Sequence, residues 1–192
     1  MRQRALIIIL SVFYCLPAFS QGLQFYKENL QFIIDKHGYF MVSGDYCFCN
    51  VSRDTVNKRL VYPFPVGREY GAVDSICVVN AEAEDTLDFL RKGNKVIYFE
   101  VSLPPLGIIT YHLSYRQKLK GQQAEYILKT TQAWHKAFDM AEYRLTMPSS
   151  MKADSLSYKP DSSKVVSGKR HYYWQKQDFM PDRNMFIHFK GK

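Results

Sequence analysis

The chain reads as an all-β protein, an antiparallel two-sheet β-sandwich of about nine to eleven strands behind a cleaved leader, and three observations predict it. Apolar and polar residues alternate with period two from Leu30 onward, the mark of strands buried on one side. Aromatic residues are frequent, with 14 Tyr and 13 Phe in 192 residues, while long Ala/Leu/Glu/Lys stretches that build helices are missing. Turn residues punctuate the alternation at short intervals.

Met1 to Ser20 reads as an export address. Arg2 and Arg4 make a positive start, Ala5 to Leu16 an apolar run, and Pro17-Ala18-Phe19-Ser20 ends in a small-x-small cleavage pattern. As a helix the apolar run rises only about 18 Å, against about 30 Å of hydrocarbon, so it is too short for an anchor. Phe13 and Tyr14 before Cys15 are too large for lipoprotein processing. The expected mature chain is one domain over residues 21–192, free of a transmembrane anchor and located in the periplasm, at the cell surface or outside the cell.

The strands come in order. Asp35-Lys36-His37-Gly38 predicts a hairpin into Tyr39 to Val51. Arg59 to Phe64 and Val73 to Val79 come next, with Ala81 to Leu90 compatible with a helical turn or a strand. Gly93-Asn94 separates Thr86 to Arg91 from Lys95 to Leu103, and Pro104-Pro105 ends that strand. Ile108 to Leu119 is the clearest case: Ile109, Tyr111, Leu113 and Tyr115 share one face, and Thr110, His112, Ser114 and Arg116 the other. Gly121 leads to Glu125 to Thr130, and Ala141 to Met147 alternates until Pro148. Ser149 to Ser163, rich in serine, predicts a surface loop. Lys164 to Lys176 and Met185 to Lys190 complete the set. One-sided alternation implies antiparallel pairing, because parallel strands covered on both faces are continuously apolar.

The formal net charge is +8, with basic residues scattered among acids. That pattern describes a solvated surface, and together with export it argues against nucleic acid as a partner. Beyond the leader stand three cysteines. Cys47 and Cys49 face one side of a strand, and an oxidising compartment favours a disulfide from Cys77 to one of them, with buried thiols and an incomplete zinc site as the alternatives.

The five histidines, His37, His112, His135, His171 and His188, have no metal-binding spacing, and no metal or cofactor is expected. His112 and His188 fall on polar faces. Val42-Ser43-Gly44 and Val166-Ser167-Gly168 lack the flanking glycines of a nucleophile elbow. Lys169 to Lys176 interleaves basic and aromatic residues, with Arg170, Tyr172, Trp174 and Lys176 on one face. Exposed, that face would stack on sugar rings; packed inward, it would guard an edge strand. Trp134 either plugs the end of the core or anchors a ligand.

Three segments carry a resemblance: Arg59-Leu60-Val61-Tyr62-Pro63-Phe64-Pro65, Tyr126-Ile127-Leu128-Lys129-Thr130-Thr131 with Trp134, and Phe179-Met180-Pro181-Asp182-Arg183-Asn184-Met185-Phe186-Ile187. In their order the chain resembles a family of bacterial exported β-sandwich domains of unknown function. The resemblance implies a fold and a location and carries over no catalytic residue. The expected function is a non-catalytic binding or structural module, with carbohydrate or a cell-envelope protein as partner and Arg170, Tyr172, Trp174 and Trp134 as candidate contacts. The alternative is a secreted hydrolase or thiol enzyme whose site assembles only in three dimensions.

Overall fold

The structure, a computed structural model, describes residues 22–191, so the leader lies outside the described residues. The fold is all-β with a single 3₁₀ turn among those residues. Fourteen strands are present there, more than the alternation predicts: β1 (Leu23–Ile34), β2 (Tyr39–Asn50), β3 (Val56–Pro63), β4 (Tyr70–Asn80), β5 (Asp85–Thr86), β6 (Phe89–Lys92) and β7 (Val96–Leu103) form the first half. β8 (Ile108–Leu119), β9 (Gln123–Tyr126), β10 (Phe138–Pro148), β11 (Lys152–Leu156), β12 (Ser162–Val166), β13 (Lys169–Phe179) and β14 (Met185–Lys190) form the second.

They build three sheets rather than two. Eight strands run β12-β13-β10-β1-β2-β8-β4-β5, and two three-stranded sheets have the orders β3-β7-β6 and β11-β14-β9. Both small sheets send side chains to the inner face of the large one. Tyr62 of β3 meets Tyr46 of β2, and Tyr126 of β9 meets Phe32 of β1. The second layer is therefore split, and β3 and β9 are the strands whose residues face each other across the split. Buried residues of all three sheets join one core cluster.

Three departures from the expected strands have local causes. Lys164 to Lys176 is a hairpin and not one strand, because Ser167 (φ 49°) and Gly168 (φ 72°) make the two-residue turn with both φ positive that matches strand twist. Within the serine-rich segment, Lys152 to Leu156 pairs antiparallel with β14, so part of the expected loop is sheet. β1 pairs parallel with β10 at the centre of the large sheet, so the sheet is mixed. Their residues still alternate because one face of the large sheet is uncovered.

β1 begins well before the regular alternation does. Phe25 lies opposite Phe48 and Lys27 opposite Cys47, so Tyr26 is an extra residue in a β-bulge. The bulge reverses the phase of the rest of β1. Without it Lys27 and Asn29 would point inward; with it Glu28 does, opposite Tyr46. Gly44 is needed two positions along β2, where a Cβ would stand 2.2 Å from the Asn29 carbonyl oxygen of β1.

Candidate functional site

Where the second layer splits, a cavity of about 340 Å³ opens onto the large sheet. Its floor is β1 and β2: Leu23, Phe25, Glu28, Tyr46 and Phe48. One wall is β3 from Lys58 to Pro63, and the other runs from Tyr126 along the 3₁₀ turn Lys129–Trp134. That turn is pinned from beneath: the Lys129 N–H donates to Asn184 Oδ1 at 3.1 Å, and the Gln132 side chain donates to the Pro181 carbonyl at 2.8 Å. It holds Trp134 half-buried over Phe25 and Phe48, with ring centroids 6.0 and 5.6 Å away. Phe25 also stacks on Phe48 at 4.9 Å.

Under this aromatic lining lies a carboxyl group. Glu28 is 1% exposed, and its oxygens accept hydrogen bonds from Tyr143 and, at 3.3 Å, from Tyr126. The Tyr126 and Tyr46 hydroxyls are 3.2 Å apart, and those of Tyr46 and Tyr62 2.8 Å. Each hydroxyl has one proton, so when Glu28 is ionised one arrangement satisfies every link: Tyr62 donates to Tyr46, Tyr46 to Tyr126, and Tyr126 to Glu28. Burial pushes the Glu28 carboxyl up to about 7, against the two tyrosine hydrogen bonds that favour its charge. Burial also raises Tyr46, Tyr62, Tyr126 and Tyr143 well above the usual phenol range, so they stay protonated. No lysine or arginine pairs with Glu28 among the described residues.

The candidate contacts read from the sequence divide. Trp134 lines the cavity. Tyr172 and Trp174 do not form an exposed platform: Trp174 is 2% exposed and donates its indole N–H to the Tyr158 carbonyl at 2.9 Å. Arg170 lies on their face, where its Nε donates to the Met151 carbonyl at 3.2 Å. This face packs inward because β11 and the chain around Tyr158 cover it.

The cysteines also stand apart. Cys47, Cys49 and Cys77 are free. β8 lies between β2 and β4, which puts Cys77 about 10 Å or more from Cys47, beyond the roughly 7 Å a disulfide spans. Burial raises the Cys47 and Cys49 thiols, so neither is an activated nucleophile. No group of three or more His, Cys, Asp or Glu suited to a metal ion occurs among the described residues.

On the open face of the large sheet, Ser43 Oγ lies 3.0 Å from His112 Nε2, and His112 Nδ1 2.8 Å from Asp45 Oδ1. The connectivity is that of an acyl-transfer triad. The setting is not: β2 is paired on both sides, so its amides are committed to the ladders with β1 and β8 and leave no backbone oxyanion donors at Ser43.

Sequence reasoning missed Glu28, Tyr46, Tyr62 and Tyr126. Lys27-Glu28-Asn29 reads as an ordinary polar stretch, and only the bulge turns its middle member inward. The one available signal was the loss of alternation between Phe25 and Leu30.

The fold and cavity together describe a split-layer β domain with a half-open aromatic site. A family model described as a domain of unknown function (DUF4424) matches residues 112–187, from His112 in β8 to Ile187 in β14. Two of the three segments behind the resemblance lie in that span. No curated protein matches the chain.

A protein of Legionella pneumophila subsp. pneumophila str. Philadelphia 1, provisionally described as nutrient binding, superposes with a TM-score of 0.70 at 14% identity. The match covers 88% of this chain and 67% of the other. An M1 zinc metallopeptidase of Deinococcus radiodurans aligns with a TM-score of 0.50 at 13% identity, over 87% of this chain and 42% of its own. These likenesses concern the fold alone. No helix among the described residues is long and apolar enough to cross a membrane.

Proposed function

We propose that the protein is an exported, non-catalytic binding module whose small-molecule ligand occupies the cavity between β3 and the 3₁₀ turn. The observation that carries this reading is the cavity itself: aromatic walls, a few convergent polar groups and a perturbed carboxyl, the combination found in ligand sites. Rings at Phe25, Phe48 and Trp134 offer stacking surface to the apolar face of a sugar or to another ring or chain. The Legionella neighbour, provisionally described as nutrient binding, supports a binding role. Export rests on the leader at Met1 to Ser20.

The test is a calorimetric titration of sugars and other small molecules into the wild type, Trp134→Ala and Trp174→Phe. A ligand bound by the wild type and Trp174→Phe and lost in Trp134→Ala supports the site. Equal binding by all three removes the cavity from consideration. For export, N-terminal sequencing of secreted protein should begin at Gln21.

A hydrolase is the second reading, and the Ser43–His112–Asp45 chain alone favours it. The committed amides of β2 weigh against it.

A further inference from the structure

We infer that the cavity selects a ligand bearing a positively charged amine, which lodges against the aromatic floor above Glu28. This rests on the proposal that the cavity is the binding site, and it specifies the ligand's charge.

Buried carboxylates are ordinarily held by a cation or by several donors. Glu28 has two tyrosine hydroxyls and no base among the described residues. It lies where the split in the second layer leaves the inner face of the large sheet unroofed. An ammonium entering there meets the faces of Phe25, Phe48 and Trp134, which attract cations through their quadrupoles. The tyrosine relay acts in the same direction. While Tyr62, Tyr46 and Tyr126 donate toward Glu28, their remaining lone pairs are acceptors, so the polar end of a ligand must donate. The carboxyl sits behind these hydroxyls, and its charge reaches the ligand through them across a site of low dielectric.

The groups facing Glu28 are Tyr46 from β2, Tyr126 from β9, Tyr143 from β10 and, through Tyr46, Tyr62 from β3. All stay protonated near neutral pH. Lys58 and Arg59 stand on the β3 wall, and Arg59 is paired with Glu100 at 2.6 Å. Lys58, on the same side of β3 as Tyr62, repels an amine from that wall and gives any acidic end of the ligand a partner there.

Three probes of matched shape test the inference by calorimetry: 4-phenylbutylamine, 4-phenylbutanol and 4-phenylbutyrate, each against the wild type, Glu28→Gln and Trp134→Ala. The amine should bind the wild type about tenfold or more tighter than the alcohol. Glu28→Gln, which keeps the shape and the acceptor oxygen, should erase that preference while still binding the alcohol. Trp134→Ala should weaken both. Raising the pH from 6 to 8 should tighten amine binding to the wild type and leave alcohol binding level or weaker. If the alcohol binds as tightly as the amine, or the preference survives in Glu28→Gln, the charge assignment is wrong and the cavity reading stands. If no probe binds, the charge assignment fails and the cavity is judged by the titration above; if Trp134→Ala binds the probes unchanged, the cavity reading fails and the charge assignment with it.

Discussion

Glu28 should make the protein less stable as the pH rises through the neutral range. An unfolded chain leaves this carboxyl at an ordinary value near 4.5, whereas the fold raises it to about 7. Between these values the folded state keeps a proton that the unfolded state has lost, so the stability contributed at low pH drains away from about pH 4.5 to about pH 7 and is flat above. A difference of about 2.5 units at 1.36 kcal/mol each gives a loss of about 3 kcal/mol. Glu28→Gln has no such proton to lose. Its amide must reorganise the Tyr126 and Tyr143 hydrogen bonds, but that cost does not depend on pH. The assay is urea unfolding of the wild type and Glu28→Gln at pH 5, 6, 7 and 8, plotted as the difference in unfolding free energy. The difference should move in favour of Glu28→Gln by about 2–3 kcal/mol between pH 5 and pH 8. A level difference, or one moving toward the wild type, would refute the buried-carboxyl argument.

Other substitutions separate the cavity from the core. Trp174→Ala should cost about 3–5 kcal/mol in chemical unfolding, because a fully enclosed ring leaves a void that its neighbours cannot fill. Gly44→Ala should cost about 1–3 kcal/mol by the same measurement, since its methyl group meets the Asn29 carbonyl and Leu30 and must part β1 from β2. Unfolding the chain from Gln21 onward without reductant should expose three thiols to a colorimetric thiol reagent; one thiol would show that two strands can be bridged after all. A fluorophosphonate should leave Ser43 unlabelled in intact-mass spectra, and stoichiometric labelling abolished by Asp45→Asn would revive the hydrolase reading.

The legible parts of this fold are those where one residue's neighbours in sequence settle its fate. Ile108 to Leu119 reads as a strand and is one, because Ile109, Tyr111, Leu113 and Tyr115 repeat at the interval at which a pleat faces the core. The turn at Asp35 to Gly38 is equally local: the Asp35 carboxyl accepts from the His37 and Tyr39 amides, and Gly38 takes φ 74°. β14 coincides with its expected range for the same reason.

What failed was whatever depended on partners distant in the chain. β11 is a strand only because β14 supplies a ladder for it, and nothing in its own exposed residues announces this. The sequence leaves Trp174 open between a recognition face and a packed one, and the chain around Tyr158 covers it. The Cys77 bridge looks open in the sequence, which cannot say that β8 comes between β2 and β4.

By itself, then, the sequence determined an all-β chain with one-sided strands, because period-two alternation and turn chemistry act over a few residues. The tertiary structure alone decided how many sheets those strands make, that β1 runs parallel to β10, and where the second layer parts. It also decided that a one-residue bulge turns Glu28 inward beneath Phe25, Phe48 and Trp134. The reason is physical: a hydrogen-bond ladder and a cavity are relations between segments far apart in the chain, and the alternation along a strand records only which side is wet.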